Sequence, residues 1–583
     1  IIVVKGETMG NPNQSKYDYL LSQNKNYMDL TALSTINGSV SYLQLHENIE
    51  KYEKLLISKG VRPGDRIGVC ALNTPESVYL LYALDKIGAI VIGFSPLDNA
   101  EKIQKDIKLT KPKMVITVDL QYKNFKNSEK ALEFTTMLYT ISDYIEDKKL
   151  KTLLKISNIL KGNFALDKKR LLLSDCYEEL KNIEIEKQDY YDGKLTDIMF
   201  TGGSSGIHKG VSLAGNGLNS VIEGMRYMYP EDFFTGNTYL GNIPIGHMVY
   251  GRAIMHIALT NNMNFALTLK ATPKDFYDEL IRTNAFAAVG GPPHWNSLLE
   301  LENGALVPRH DLKKGSLSNL GLATSGGEAK TKITEDMVNK ALEYCGSKVK
   351  LGDGLGATEG WSVILLNSGK YLEPYKIGRP IDTLNVKIID ENTGKEVTKG
   401  NKGLLCISGP SVMLEYYGNE IETSKVMFKD EKGNTWVNTG DIVRETESGN
   451  YEYVGRKKRN FVSGIENIYP EQIEDLLTTL PEINEVVVTC VPNDLVQYLP
   501  IYHISLNNSD IDLTTLEKKI NSLVEKKLGV NWLPCKIDFS FTPLKRMTNS
   551  KLNITYYQSI DNEEYQKNNK SYDNSVNVRL RKM

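Results

Sequence analysis

A chain of 583 residues exceeds what one hydrophobic core ordinarily supports, so at least two domains are expected. Its 70 basic and 72 acidic residues leave a formal net charge of −2, which gives no overall field to draw nucleic acid or anionic lipid. Six cysteines stand far apart without a CxxC pair and seven histidines are scattered, which argues against a disulfide framework and a protein-ligated transition metal and fits a reducing cytoplasm.

The opening IIVVKGETMG holds an apolar run too short for a signal segment. From residue 40, VSYLQLHENIEKYEKLLISKGVRPGDRIGVCALNTPESVYLLYALDKIGAIVIGF reads as helix, turn, strand, helix, strand. The stretch 78–94 is apolar but carries Asp85 and Lys86 and falls short of a membrane span. Alternation continues through 114–119, the strand before residue 201, AFAAVGGPP and LGLATSGGE, with glycines in loops that follow strands. This predicts an α/β fold with ligands at strand ends. Residues 148–161, KKLKTLLKISNILK, predict a basic amphipathic helix: packing on its own domain is the commoner use, and peripheral membrane contact the other. From about 378 short strands and turns indicate a β-rich subdomain, and after GRKKRN at 455–460 a small α/β domain follows. The predicted boundaries are 9–457 for the large domain, 458–557 for the small one and 558–583 for a polar tail.

FTGGSSGIHKGV, residues 200–211, packs four glycines, three hydroxyls and one lysine into twelve positions. Glycines let several N–H groups converge and hydroxyls add uncharged donors, a combination that suits phosphate. It is not the GxxxxGK[ST] loop, because His208 precedes Lys209 and Gly210 follows it. Four further segments carry chemistry: GDGLGATEG (352–360) with Thr358 and Glu359, NTGD (438–441), GRKKRN with Arg456, and PLKRMTNSKLN (543–553) with Lys551. A carboxylate such as Asp441 can accept hydrogen bonds from both hydroxyls of a ribose.

In this order and at these separations the segments resemble the adenylate-forming enzymes, the superfamily of acyl-CoA synthetases, peptide-synthetase adenylation domains and luciferase. The loop is similar to that family's [YF]TSGTTGxPKG at Thr201, Gly203, Ser204, Ser205, Gly206, Lys209 and Gly210. The resemblance runs from about 40 to about 556 through GVRPGDRIGVCALNTPE, IPIGHMVYG (family PxxHxxG), SGGE, IGRP and SGIENIYPEQIE. His208, Gly202, Leu355, Ile465 and Ser550 depart from the pattern.

The resemblance implies a large N-terminal α/β domain, a β-rich subdomain and a small mobile C-terminal domain. It implies ATP, Mg²⁺ and coenzyme A, with Glu359 and Thr201 toward the metal and Thr201, Gly203, Ser204, Ser205, Gly206 and Lys209 around pyrophosphate. Thr358 falls to the α-phosphate, Lys551 to the phosphate and the acid, and His247 joins the catalytic set. Asp441 and Arg456 take the ribose, Ser325, Gly326, Gly327 and Asp353 the adenine, and Lys458 the hinge. The implied activity is an ATP-dependent ligation of a carboxylic acid to CoA through an acyl-adenylate, placed in fatty acid metabolism. No aspartate follows the His247 segment to hold an amino group, so an acyl or aryl acid is favoured. Alternatives are loading of a separate acyl carrier protein, or a catalytically silent nucleotide binder. Nucleic acid and a transmembrane segment are not expected.

Overall fold

The computed structural model describes residues 11–118, 121–129, 135–139, 192–201, 209–230, 232–270, 272–302, 305–327, 332–463, 466–493, 497–508, 511–547 and 551–568. It also describes Leu180, Ile183, Ile185, Tyr190 and Lys330 individually. The loop interior Gly202–His208, Ile465, Ser550 and the predicted helix 148–161 lie outside the described residues.

Local sequence sets the first elements. Helix Tyr42–Ser58 opens on a capping box in which Ser41 and Gln44 exchange side chain to backbone bonds, and it buries Leu45, Ile49, Tyr52 and Leu56. Helix Pro75–Ile87 starts at the Thr74 cap with proline in its first turn and ends at Gly88 in the left-handed region. It is buried nearly all round, which explains why its sequence is so apolar, and it leads into strand Ile90–Gly93 as expected.

Among the described residues two large sheets form the body. A seven-stranded sheet has the order Glu415–Tyr416, Lys209–Ala214, Leu195–Thr201, Ile90–Gly93, Arg66–Cys70, Met114–Val118, Thr135–Tyr139. A nine-stranded sheet places strand Leu322–Gly326 parallel to Gly352–Ala357, with Ser325 opposite Asp353. The strands in the middle of both sheets are parallel, and Thr201, Ser325 and Gly326, singled out in the sequence, stand at the C-terminal ends of two of them.

The β-rich part is a third sheet of strands Asn385–Ile389, Lys402–Ser408, Met427–Lys429, Thr435–Glu445 and Tyr451–Arg456. Its register sets Asp441 opposite Arg456. After the turn Lys457–Arg459, a sheet built from Phe461–Ser463, Glu466–Ile468, Ile483–Asn493, Gln497–Leu506 and Lys536–Ser540 follows, flanked by helices. One apolar cluster joins Leu404, Ile442 and Val454 of the third sheet to Phe461, Ile468, Tyr469 and Ile473 beyond the turn.

The segment read as a polar tail from 558 differs in the structure: Ile554–Asn568 is a helix packed on strand Ile483–Asn493. Tyr565 packs on Val491, Leu499 and Ile501, and polar contacts add to this in place of a continuous apolar stripe. The Gln558 amide donates to the Cys490 carbonyl at 2.6 Å, and the fully buried Asp561 carboxylate takes the Thr489 hydroxyl and His503 Nε2, the latter at 2.8 Å. A reading based on hydrophobic spacing misses such a helix.

Candidate active site

The ends of strands Leu195–Thr201 and Lys209–Ala214 frame the glycine loop, and Thr201 pairs with Lys209 across the hairpin. The Lys209 ammonium lies 4.4 Å from the centre of the Tyr416 ring and forms an ion pair with Glu422. The Tyr416 hydroxyl in turn donates to Glu359 Oε1 at 2.7 Å. Glu359 sits in the single helical turn Thr358–Gly360 that ends strand Gly352–Ala357, and its carbonyl accepts from Met413 N at 2.8 Å. Trp361, buried behind that turn, fixes it by donating Nε1–H to the Ala214 carbonyl at 2.6 Å.

Asp441 is buried, with Oδ1 accepting from Arg456 Nε at 3.0 Å while Oδ2 meets no hydrogen-bond partner. Burial pushes its carboxyl up against the pull of Arg456, and Glu359 and Lys551 lie near enough for their charges to act on it. Lys551 follows the last strand of the C-terminal sheet, yet its ammonium donates to the Gly327 carbonyl at 2.7 Å. Lys209, Tyr416 and Glu359 thus form one line of contacts and Asp441 and Arg456 a separate pair, whose carboxylate feels the charges of Glu359 and Lys551.

Strand Leu322–Gly326 carries Ser325 near its end, whose hydroxyl is buried and unpartnered. A side chain at Gly326 would stand 3.0 Å from the Tyr250 hydroxyl, and Gly327 has φ +91°, so both positions favour glycine. Tyr250 belongs to a spacing of three residues between His247 and Gly251, one more than the family pattern has. Asp353 is buried beneath, where Gly354 N donates to it at 2.8 Å and Lys330 pairs with it. Its carboxylate is thereby engaged by protein groups.

His247 stands apart from the line, with Asp98, Lys102 and Arg252 as its charged neighbours. Burial lowers its pKa to about 4, so the imidazole is neutral near pH 7, and its Nδ1 is buried without a partner. Lys458 is exposed in the turn Lys457–Arg459. On one side of it Arg456 is tied to Asp441 and to the Thr439 carbonyl at 3.0 Å; on the other, Arg459 pairs with Glu471 and Glu474 of helix Pro470–Leu477. Gly203, Ser204, Ser205 and Gly206 lie outside the described residues. Sequence reading missed Tyr416, Glu422 and Lys330, which no local motif marks.

Among the described residues His503, Asp538 and Asp561 come close enough together to hold a cation. The two carboxylates face opposite ring nitrogens, and the Lys536 ammonium lies 3.0 Å from Asp538, an arrangement of paired charges rather than of ligands converging on one ion. No helix among the described residues is long and apolar enough to cross a membrane.

Residues 20–417 match the model of the AMP-binding enzyme family. The chain belongs to that family. AMP-binding enzymes similar to it include a long-chain-fatty-acid–CoA ligase of Bacillus subtilis (strain 168), 26% identical over 83% of this chain and 84% of the relative. Another is 4-coumarate–CoA ligase 1 of Arabidopsis thaliana, 23% identical over 89% of this chain and 88% of the relative. Solved structures agree in fold: an anthranilate CoA ligase with bound anthranoyl-AMP superimposes with TM-score 0.77 at 18% identity, covering 95% of this chain and 99% of the other. ATP-bound MatB from Rhodopseudomonas palustris gives 0.78 at 19% identity, over 95% of this chain and 100% of the other. The two-part α/β architecture expected from the sequence is the architecture of these adenylate-forming enzymes.

Proposed function

We propose that this member of the family is an ATP-dependent carboxylic acid:CoA ligase that forms an acyl-adenylate, releases pyrophosphate and then makes a thioester. The single observation that carries this reading is the Lys551 ammonium on the Gly327 carbonyl, which brings a cation from the C-terminal part to the strand end of Ser325 and Gly326 and within the field of Asp441.

Joining a carboxylate to the α-phosphorus brings two anions together, so cations must stand where the charge develops. Lys551 supplies one beside the α-phosphate and the acid, and Lys209, with Thr201 and the loop hydroxyls Ser204 and Ser205, supplies another at the departing pyrophosphate. Thr358 contacts the α-phosphate. Asp441, with one oxygen still unpartnered, accepts from the ribose hydroxyls while Arg456 holds the other oxygen. Ser325, Gly326 and Gly327 line the adenine, with Asp353 acting as a buried support through Lys330. The Glu359 carboxylate and the Thr201 hydroxyl are hard oxygen donors that fit Mg²⁺ on the phosphates, where the ion would neutralise charge on the leaving group. The neutral His247 imidazole lies toward the acid.

The same reading divides the chain into 9–457 and 458–557, with the pivot at Lys458. The anchoring of Arg456 and Arg459 to opposite sides of that turn supports it, since only Lys457 and Lys458 are left between fixed points. Rotation there withdraws Lys551 and admits the thiol. The acid is an acyl or aryl acid, the setting cytoplasmic.

The test is ATP–pyrophosphate exchange across a panel of carboxylic acids with Mg²⁺, followed by CoA and holo carrier protein offered side by side. Acid-dependent exchange and a CoA thioester are expected. A thioester on the carrier alone would move the assignment to carrier loading, and absence of exchange with every acid would leave a nucleotide binder.

A further inference from the structure

Two acids and two bases, none of them given a role above, lie together in the interior beside the His247 segment. Lys16, in the first turn of helix Lys16–Asn24, is only 4% exposed. Its ammonium contacts Asp197, the Thr196 hydroxyl at 3.3 Å and Asp85 Oδ1 at 3.5 Å, and it lies 5.6 Å from the centre of the Trp361 ring. Asp85 also accepts from Tyr17 N at 2.9 Å, which fixes the start of the helix. From the opposite side Arg252 donates Nη1–H to Asp197 Oδ1 at 2.8 Å, Nε–H to the Ile245 carbonyl at 2.9 Å and Nη2–H to the Gly246 carbonyl at 3.3 Å.

The four charges balance, but a buried ion cluster is seldom needed for stability, because apolar side chains of the same volume hold a core as well or better. What this one does is geometric. Asp197 lies on the strand that ends at Thr201, where the glycine loop begins. Ile245 and Gly246 immediately precede His247, and Trp361 follows the turn of Thr358 and Glu359. We propose that Lys16 is a positioning residue which, through Asp197 and Arg252, sets strand Leu195–Thr201 in register with the His247 segment and the Thr358–Gly360 turn. The N-terminal helix is thus part of the catalytic frame. The inference rests on the proposed adenylation activity and adds to it a residue that never meets substrate.

Lys16→Met alone leaves two carboxylates facing one arginine, so the informative protein is Lys16→Met/Asp85→Asn, which keeps the cluster neutral and leaves an oxygen for Tyr17 N. With the variant shown to be folded by circular dichroism, kcat for pyrophosphate exchange is expected to fall about 10- to 100-fold, the scale of a misplacement of about 1 Å. The KM for the acid should rise by no more than the few-fold that a shifted His247 segment allows, so that the loss falls mainly on kcat. Binding of a non-hydrolysable ATP analogue, followed by calorimetry, should weaken as well. That readout stays interpretable if the wild-type protein exchanges pyrophosphate with no acid, an outcome that would refute the proposed function but not this inference. Should the double variant not fold, Thr196→Val removes one hydroxyl from the cluster at constant shape, and a several-fold loss of kcat is expected there. A folded variant with unchanged kcat and unchanged analogue affinity overturns the proposal.

Discussion

Asp441 and Arg456 face each other across two antiparallel strands, and the arginine satisfies only one of the two carboxylate oxygens. The pair is unevenly placed: the Asp441 side chain is 3% exposed and that of Arg456 47%. A buried carboxylate with a free oxygen beside a half-open arginine is ready for a ligand with neighbouring hydroxyls. Asp441→Ala should weaken ATP binding by about 2–4 kcal/mol, the worth of charge-assisted contacts to two hydroxyls, as read by calorimetry. Because Arg456 can turn to solvent, the variant should stay folded. Unchanged affinity would take Asp441 out of the nucleotide site.

On the proposed function, substitution of Lys551 should separate the two half-reactions. Lys551→Ala should lower acyl-adenylate formation by about 10²- to 10³-fold, the usual loss for one transition-state contact. Thioester formation from chemically prepared acyl-adenylate should persist, since the lysine has by then been withdrawn. Equal loss in both assays would contradict an alternating small domain.

Glu422 pairs with Lys209, the cation proposed for pyrophosphate. Hydrogen bonds from Lys209 and then Lys425 pull its carboxyl down to about 2, so the pair persists throughout the working pH range. Glu422→Gln should release the lysine and lower the KM for ATP by about two- to fivefold, the scale of an exposed ion pair. The effect should shrink in high salt. A raised KM would mean that Glu422 aims Lys209 rather than occupying it.

His256 ties stability to pH. Asn219 Oδ1 accepts at Nε2 (2.9 Å), so that nitrogen carries the proton and Nδ1 accepts from the Tyr82 hydroxyl at 2.8 Å. Burial, aided by Lys16 and Arg226, lowers the folded pKa to about 3, whereas the unfolded chain titrates near 6.5. Below about pH 6.5 the unfolded state takes up a proton that the folded state refuses, so stability falls with pH by about 1.4 kcal/mol per unit until the folded pKa is reached. His256→Gln keeps one donor and one acceptor and lacks this titration. Urea unfolding at pH 7, 6, 5 and 4 should show the variant gaining on the wild type at each step down, and parallel curves would exclude the assignment.

How far the sequence speaks depends on the distance between partners. Thr201 and Lys209, and Asp441 and Arg456, could be grouped from the sequence because each pair lies in motifs that the family resemblance marks. Lys551 was legible as a lysine on a late polar turn, but its contact with Gly327 spans 224 residues and no periodicity encodes it. Lys16, Asp197 and Arg252 read as ordinary charges, since nothing local distinguishes a buried ion pair from a solvated one. Helix Ile554–Asn568 was missed for the same reason: Asp561 and Gln558 help to hold it, and hydrophobic spacing does not register them.

The apolar cluster that joins Leu404, Ile442 and Val454 to Phe461, Ile468 and Tyr469 lies across the turn at Lys457 and Lys458. The proposed rotation about that turn would part this seam, so the two orientations would differ in the apolar surface they show to water and therefore in heat capacity. Apolar association weakens on cooling. On the proposed function, the balance between making the adenylate and consuming it would then be a function of temperature: chilling would favour the parted arrangement proposed for thiol attack, and warming the closed one proposed for adenylation.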